Sequence, residues 1–275
     1  MPDRPPAGAG TDTTGPLVSV VLPTYDRGWL LGRSIRSVLE QSYRDFELIV
    51  VDDGSTDDTA AAVARFDDPR IAYLRLDQNR GAAAARNVGI RRAAGRFLAF
   101  QDSDDEWLPD KLDRCMRAFA SCPAEVGIVY SDMQRIQRDG ESSYHRSPDL
   151  VPGVLIDPNT HFYQVCRLGI QSTVIRRECL EAVGGFNEAF PSLEDLELFI
   201  RLSRRYGFHH LELPLVRYHE TDGLSNNMPA KVIARRLLLA LYGADLQRHD
   251  PEFLSRESAW VRASERPRED AASGS

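Results

Sequence analysis

Short apolar segments alternate with amphipathic ones through the first half of the chain. Four of the apolar segments are rich in Val, Leu, Ile and Phe, the composition of strands that are buried on both faces of a sheet. These segments are Leu17–Leu22, Glu47–Val51, Ile71–Leu76 and Phe97–Phe100. Between and after them, apolar residues recur every three or four positions, which is the spacing of amphipathic helices. The alternation predicts an α/β fold with a mostly parallel central sheet flanked by helices.

The predicted helices of this half carry signals at their ends. We expect Ser55 to cap the N-terminus of the helix after the second strand, with Asp58 near the positive end of that helix. An Ala-rich helix is expected over about residues 81–94, and Pro109 suits the first turn of the helix after the fourth strand. Each helix therefore lies between two strands, as parallel pairing requires.

The second half of the chain has a less regular pattern. Its predicted elements are strands at Val126–Ser131, Ile170–Ile175 and Leu211–His219, a hairpin turn at Asp139-Gly140, a loop over residues 147–160, and helices over about residues 194–206 and from Pro229 onward. Residues 1–15 and 262–275 are rich in small and polar residues, and we expect both to be disordered tails.

Composition and charge narrow the range of partners. Asp and Glu outnumber Lys and Arg by 41 to 34, for a net charge of −7, and this argues against nucleic acid, whose binding needs a surplus of cations. No segment has the roughly 20 apolar residues of a membrane span, and the N-terminus lacks the apolar core of a signal peptide. The four cysteines lack metal-ligand spacing and are expected to be reduced. We therefore expect a cytoplasmic protein, at most peripheral at the inner face of the membrane.

Carboxylates gather where two of the predicted parallel strands end. Asp52 and Asp53 follow the second strand, and Asp102, Asp104 and Asp105 follow the fourth. The carboxyl ends of parallel strands share one edge of a sheet, and α/β proteins bind their ligands there. Carboxylates so close repel one another unless cations neutralise them, and oxygen ligands suit Mg²⁺ or Mn²⁺. A divalent-metal site is the functional interpretation, and turn and cap formation by Asp and Ser is the alternative.

Several short motifs occur in order over about residues 17–220, most densely over the first hundred. They are Val18-Ser19-Val20-Val21-Leu22-Pro23-Thr24-Tyr25, Val50-Val51-Asp52-Asp53-Gly54-Ser55-Thr56-Asp57, Asn79-Arg80-Gly81, Ala85-Arg86-Asn87, Asp102-Ser103-Asp104-Asp105, Gly184-Gly185-Phe186 and Glu194-Asp195. Together and in this order, the motifs resemble those of family 2 glycosyltransferases. The resemblance implies the GT-A fold, in which a Rossmann-like nucleotide-binding half adjoins an acceptor-binding half.

The resemblance also divides the chain and implies its substrates. Residues 16–228 would form the GT-A domain, with 16–110 as the nucleotide-binding half and 111–228 as the acceptor-binding half. Residues 229–261 would form a C-terminal helical region. The donor would be a nucleoside-diphosphate sugar, with UDP as the expected nucleotide, and the acceptor would offer a hydroxyl on a saccharide, a lipid-linked saccharide or a small molecule.

Carried over residue by residue, the resemblance implies a nucleotide site at the strand ends. The residues that would line the nucleobase or accept hydrogen bonds from it are Pro23, Thr24, Tyr25, Asp53 and Asp52. Arg86 would lie near the donor diphosphate, where the planar fork of its guanidinium suits phosphate. A solvated or ion-paired arginine is the alternative for Arg86.

The same resemblance implies a metal centre of Mn²⁺ or Mg²⁺. Asp102 and Asp104 match the family's DxD motif, whose metal bridges the donor diphosphate and stabilises the departing nucleoside diphosphate. Asp104 would contact the metal directly, and Asp102 would lie nearer to the ribose or to the water shell of the metal. His219 is a further candidate metal ligand, and a structural histidine is the alternative.

The acceptor side rests on three further residues. Asp195 matches the family's catalytic base, which takes a proton from the attacking hydroxyl in an inverting displacement. Glu194 and Trp107 are candidate acceptor contacts, with helix capping and core packing as the alternatives. A sugar-1-phosphate nucleotidyltransferase or a catalytically silent carbohydrate-binding module would be the other function classes. A NAD-dependent oxidoreductase is excluded because no GxGxxG motif follows the first strand.

Overall fold

A computed structural model describes residues 15–150, 165, 167–221 and 227–264. This part of the chain contains a nine-stranded sheet whose strands include every predicted one. The strands are β1 (Val18–Thr24), β2 (Phe46–Asp52), β3 (Ile71–Arg75), β4 (Phe97–Phe100), β5 (Glu106–Trp107), β6 (Val126–Ile136), β7 (Ser142–His145), β8 (Thr173–Arg176) and β9 (Gly207–His219).

Helices connect the strands and close the described chain. They are α1 (Gly28–Leu39), α2 (Thr59–Ala64), α3 (Ala82–Arg92), α4 (Lys111–Ser121), α5 (Arg177–Val183), α6 (Glu194–Ser203), α7 (Met228–His249) and α8 (Pro251–Ser264). The predicted terminal helical region therefore consists of two consecutive helices, and the second of them continues three residues beyond the predicted boundary.

The strand order is β3-β2-β1-β4-β8-β6-β9-β5, with β7 paired to β6. The first four strands pair in parallel. Strand β8 is antiparallel to both β4 and β6, so it joins this parallel unit to the second half, where β6 and β9 are again parallel. The structure confirms the α/β class and the mostly parallel sheet. The two-residue strand β5, antiparallel to β9, was not predicted.

Two apolar cores lie on opposite faces of the sheet. Along β1, Val21 belongs to the core that α3 covers, whereas Val20 and Leu22 belong to the core that α1 and α4 cover. Successive side chains of a strand point to opposite faces, so a strand covered on both sides must be apolar at almost every position. The continuous apolar segments of the sequence reflect this double burial.

A close approach between α3 and β1 holds the helix against the sheet. A Cβ atom added at Gly89 would lie 2.3 Å from Val21 Cγ1, whereas one added at Gly32 in α1 would meet nothing within 4 Å. We expect Gly89→Ala to lower the free energy of unfolding by about 1–3 kcal/mol through overpacking. Gly32→Ala is the matched control and should raise it by up to about 1 kcal/mol, because Ala is the better helix former. Urea denaturation measures both, and a Gly89→Ala protein as stable as the parent would contradict this packing.

The helix after β2 begins three residues later than predicted. The Ser55 hydroxyl accepts a hydrogen bond from the Asp26 N–H at 2.9 Å, so the prediction that Ser55 caps this helix is wrong. The helix begins at Thr59, directly after Asp58, and the Thr59 N–H donates to Asp57 Oδ1 at 2.9 Å. The intervening residues form the loop that faces the end of β1.

Other expectations concern the ends of the chain, the loop and the thiols. The predicted tails lie outside the described residues except for residue 15 and residues 262–264, and the loop predicted over 147–160 is described only to residue 150. The three described cysteines, Cys115, Cys122 and Cys179, are free thiols. Among the described helices, none combines the length and apolar character needed to cross a bilayer.

Candidate active site

A cavity of about 800 Å³ opens at the carboxyl ends of β1, β2 and β4. This is the edge at which α/β sheets bind ligands. The wall also includes the start of α3, the loop before α6, and the first turn of α7. The predicted site residues that share this wall are Pro23, Thr24, Tyr25, Asp53, Arg86, Asp102, Asp104, Glu194 and Asp195. The others, Asp52, Trp107 and His219, do not line it.

The end of β1 forms one side of the cavity. Pro23 and Thr24 are followed by Tyr25, whose side chain is 42% exposed. Thr24 Oγ1 is buried and has no hydrogen-bond partner within the described residues, so a ligand in the cavity could supply one. The chain then turns at Asp26, which has a left-handed φ of 47° and accepts a hydrogen bond from the Thr56 N–H at 2.7 Å. Such strain in a non-glycine residue is concentrated at functional sites.

Asp53 faces the cavity from the end of β2. Its oxygens accept hydrogen bonds from the N–H groups of Arg80 at 2.8 Å and Gly81 at 2.7 Å. Burial raises the pKa of Asp53, and these two N–H groups work against that rise. Gly81 has a φ of 89°, which favours glycine, so the Asn79-Arg80-Gly81 motif presents its backbone to this carboxylate.

The neighbouring Asp52 has a structural task instead. It is 1% exposed, and its two oxygens accept hydrogen bonds from the Ser55 N–H and the Tyr73 hydroxyl. Each oxygen therefore helps to hold the chain around the end of β2, and Asp52 does not line the cavity. Its assignment to the nucleobase stays a prediction.

Arg86 connects the DxD motif to the beginning of α6. Its guanidinium donates to Asp102 Oδ1 at 2.8 Å and to Glu194 Oε1 at 2.6 Å. The residue is 5% exposed, and its guanidinium carbon lies 5.3 Å from the ring centroid of Phe186. Burial raises the pKa of Asp102, and the charge of Arg86 offsets part of the rise. Arg86 and Glu194 thus lie on the cavity wall as an ion pair with each other.

The oxygens that remain for a metal belong to the DxD motif. Asp104 Oδ2 accepts a hydrogen bond from the Thr221 hydroxyl and lies 3.7 Å from Arg27 Nη1. Asp102 Oδ2 and Asp104 Oδ1 have no hydrogen-bond partner within the described part of the chain. No group of three or more His, Cys, Asp or Glu side chains forms a metal cage among the described residues. Two carboxylate oxygens fit Mg²⁺, which is usually held by one or two carboxylates together with substrate phosphates and water.

Asp195 projects into the cavity from the first turn of α6. The residue before this helix, Leu193, has a left-handed φ of 59°, which is uncommon for a bulky side chain and fixes the entry of the chain. Asp195 Oδ1 accepts a hydrogen bond from the Leu196 N–H at 2.8 Å. Burial, together with the charge of Glu194, raises the pKa of Asp195 to about 7. A carboxylate with this pKa is suited to accept a proton near neutral pH.

Two predicted side chains lie away from the cavity. Trp107 is 3% exposed, its indole N–H donates to the Gln171 carbonyl at 3.1 Å, and Lys111 Nζ lies 4.5 Å from its ring centroid. His219 Nε2 pairs with Glu106 Oε1 at 2.7 Å. Trp107 therefore packs in the core and His219 is paired with Glu106, so neither lines the described cavity. Their assignments to the acceptor and to the metal stay predictions.

Sequence reasoning missed a second wall of the cavity. We call it the basic wall, and its members are Arg135, His145, Arg167 and Lys231. With Arg27 and Arg86, five arginines and lysines line the cavity, as many as its five aspartates and glutamates. The members of the basic wall come from distant parts of the chain and share no motif, so only the fold brings them together.

A mostly parallel sheet with DxD carboxylates at its strand ends, facing a further carboxylate across one cavity, defines a GT-A transferase. Two solved structures share this fold. S. aureus TarS in complex with UDP superposes with a TM-score of 0.63 at 20% identity, over 81% of this chain and 65% of that chain. Mannosyltransferase PcManGT from Pyrobaculum calidifontis, in complex with GDP-Man and Mn²⁺, gives a TM-score of 0.62 at 21% identity, over 94% of this chain and 73% of that chain.

The amino-acid sequence identifies the family. The model of Glycosyl transferase family 2 matches residues 19–177. The Escherichia coli UDP-Glc:alpha-D-GlcNAc-diphosphoundecaprenol beta-1,3-glucosyltransferase WfgD is 32% identical over 190 residues, which are 68% of this chain and 69% of the relative. The chain belongs to glycosyl transferase family 2 and is a glycosyltransferase.

Proposed function

We propose that this protein is a metal-dependent, inverting glycosyltransferase that moves a sugar from a nucleoside-diphosphate donor to an acceptor hydroxyl. The observation that carries the proposal is Asp195, whose pKa is raised to about 7 and which shares one cavity with Asp102 and Asp104. The UDP of the S. aureus neighbour and the UDP-Glc in the name of the E. coli relative support a UDP-linked donor. The acceptor is a saccharide, a lipid-linked saccharide or a small molecule, and the proposed place of reaction is the cytoplasmic side of the membrane.

The nucleoside of the donor is assigned to the ends of β1 and β2. Tyr25 offers an exposed aromatic face, and Thr24 offers a buried hydroxyl that lacks a partner in the described residues. Asp53 retains acceptor capacity, since each carboxylate oxygen has two lone pairs and accepts one backbone hydrogen bond. These groups suit a planar base that has N–H donors.

The DxD motif is assigned to Mn²⁺ or Mg²⁺. Asp102 Oδ2 and Asp104 Oδ1 are the protein oxygens that would hold the ion together with the donor diphosphate. Such an ion supplies Lewis-acid stabilisation of the negative charge on the departing nucleoside diphosphate. The ion pair of Arg86 with Asp102 leaves one oxygen of that carboxylate for this task.

The chemical step is assigned to Asp195. The acceptor oxygen forms a bond to the anomeric carbon while the bond from that carbon to the diphosphate oxygen breaks. Asp195 takes the hydroxyl proton, and the electron pair of the broken bond leaves with the nucleoside diphosphate. Because the displacement occurs once and in line, the configuration at the anomeric carbon inverts.

A donor panel tests the proposed function. Incubation with UDP-, GDP- and dTDP-sugars, Mn²⁺ and a set of hydroxyl acceptors should release nucleoside diphosphate. Release of pyrophosphate from a sugar 1-phosphate and a nucleoside triphosphate would identify a nucleotidyltransferase instead. Donor binding without turnover on any acceptor would identify a silent binding module.

The pH dependence follows from the raised pKa of Asp195. The base works only when deprotonated, so kcat/KM for the acceptor should rise about tenfold per pH unit below about pH 7 and level off above it. If the base were an aspartate with an ordinary pKa, kcat/KM would already have reached its plateau near pH 5. Initial rates between about pH 5.5 and pH 8.5, at saturating donor, measure the profile. A flat profile over that interval would contradict the assignment.

A further inference from the structure

The basic wall remains outside the mechanism described so far. Three of its side chains are an arginine or a lysine: Arg135 on β6, Arg167, and Lys231 in the first turn of α7. His145 on β7 is the fourth member. All four line the cavity that also holds Asp195.

The register of the sheet brings the β6 and β7 members of the basic wall together. Met133 on β6 lies directly opposite His145 on β7, so the two side chains share one face. Arg135 follows Met133 by two residues and projects from the same face. In the pairing of β6 with β9, Arg135 lies opposite Tyr218. All four residues line the cavity, so this face of the second half-sheet is one of its walls.

The charges of the basic wall are only partly neutralised. Arg135 pairs with Glu220 and keeps 54% of its side chain exposed. Within the described residues, neither Arg167 nor Lys231 has a carboxylate partner, and Lys231 is half-buried. Arg167 is exposed and Arg135 and Lys231 are partly exposed, so an anion in the cavity can reach all three cations.

The positive charges at the other end of the cavity already have partners. Arg86 is shared between Asp102 and Glu194, and Arg27 lies 3.7 Å from Asp104. The donor diphosphate is assigned to this end together with its metal ion. The basic wall is therefore available to the second substrate. A cavity of about 800 Å³ lies toward the upper end of the range for ligand pockets, which leaves room for both substrates.

We propose that the basic wall binds a phosphate or diphosphate group of the acceptor, so that this enzyme glycosylates a phosphate-bearing acceptor. The inference rests on the proposed function, because that function assigns the donor to the ends of β1, β2 and β4. An arginine fork can make two parallel hydrogen bonds to a phosphate, and the lysine ammonium adds a point charge. Three cations on one wall, two of them without a carboxylate partner within the described residues, suit a group that carries two negative charges.

Binding to the enzyme loaded with nucleoside diphosphate tests this inference. The protein is saturated with Mg²⁺ and with whichever of UDP, GDP or dTDP it binds, and is then titrated calorimetrically with the 1-phosphates of glucose, N-acetylglucosamine, galactose and mannose. The matching methyl glycosides are the uncharged probes, and methyl glucuronide is the carboxylate probe. We expect at least one sugar phosphate to bind at least about tenfold more tightly than its methyl glycoside and than methyl glucuronide.

Variants locate the bound anion. Arg167→Gln combined with Lys231→Met should weaken sugar-phosphate binding at least about tenfold and leave nucleoside-diphosphate affinity within about twofold. Arg65→Gln, an exposed arginine beyond α2, is the control and should change neither affinity. Equal binding of phosphate and methyl glycoside, or of phosphate and glucuronide, would overturn the inference. So would a double variant that loses the nucleoside diphosphate, since the basic wall would then serve the donor. Failure of the proposed function appears separately, as a donor panel without turnover.

Discussion

Asp195→Asn is expected to lower kcat by about a thousandfold, within the range of about 10²–10⁴ that a positioned general base contributes. The amide keeps the size of the carboxylate, and its oxygen can still accept the hydrogen bond that the Leu196 N–H donates at the start of α6. It cannot accept a proton from the acceptor hydroxyl. Steady-state rates of nucleoside diphosphate release, with acceptor and donor each at saturation, measure the effect.

The control separates lost chemistry from lost structure. Asp67→Asn changes an exposed aspartate after α2 in the same way and should leave kcat unchanged. Donor affinity of Asp195→Asn should remain within about threefold of the parent, since Asp195 is assigned to the acceptor hydroxyl. A variant that retains a tenth or more of the parent kcat would remove Asp195 from the role of base.

Asp104→Asn is expected to have the second largest effect, a loss of at least about 100-fold in kcat/KM for the donor. Stabilisation of the leaving diphosphate by a metal ion is worth several kcal/mol, and each 1.4 kcal/mol is a factor of ten in rate. The amide can still accept the hydrogen bond that Thr221 donates, so the loop should keep its place. Titration with Mn²⁺ after treatment with EDTA measures both the rate and the metal requirement.

The two proteins should respond differently to chelation. EDTA should abolish turnover of the parent, and Mn²⁺ or Mg²⁺ should restore it. Asp104→Asn should need a higher concentration of metal for half-maximal activity, and its maximal rate should be lower than that of the parent. A parent enzyme that turns over at full rate in EDTA would contradict the assignment of the DxD motif to a metal.

Much of the cavity at the ends of β1, β2 and β4 could be predicted from the sequence, because local signals determine it. Doubly buried strands are apolar at almost every position, and so their ends can be located to within a few residues. Parallel pairing then places Asp53 and Asp102 at one edge of the sheet without further information. The residues that follow strands β1, β2 and β4 line one cavity, as the topology requires.

The sequence does not show which of two neighbouring residues faces the cavity and which lies in the core. Asp52 and Asp53 are adjacent and chemically identical, yet one is tied to the Tyr73 hydroxyl and the other faces the cavity. Trp107 was a candidate acceptor contact from its place after a motif, with core packing as the alternative, and the unpredicted strand β5 carries it into the core. These outcomes depend on partners far away in sequence, which no local pattern contains.

The aspartates at the strand ends were an incomplete guide to the charge of the site. They predicted a gathering of carboxylates, yet five arginines and lysines balance the five aspartates and glutamates of the wall. Two of the balancing charges, Arg27 and Arg86, contact the carboxylates directly. The case for a metal therefore rests on the free oxygens of the DxD motif rather than on an overall excess of acid.

The central claim is a single displacement in which Asp195 acts as base, and the configuration of the product tests it most directly. The donor should be an α-linked nucleotide sugar that the panel identifies, and proton NMR should assign the anomeric configuration of the new glycosidic linkage. The account predicts a β-linked product, formed about a thousandfold more slowly by Asp195→Asn. An α-linked product would contradict it, because retention requires a mechanism other than one in-line displacement assisted by a base.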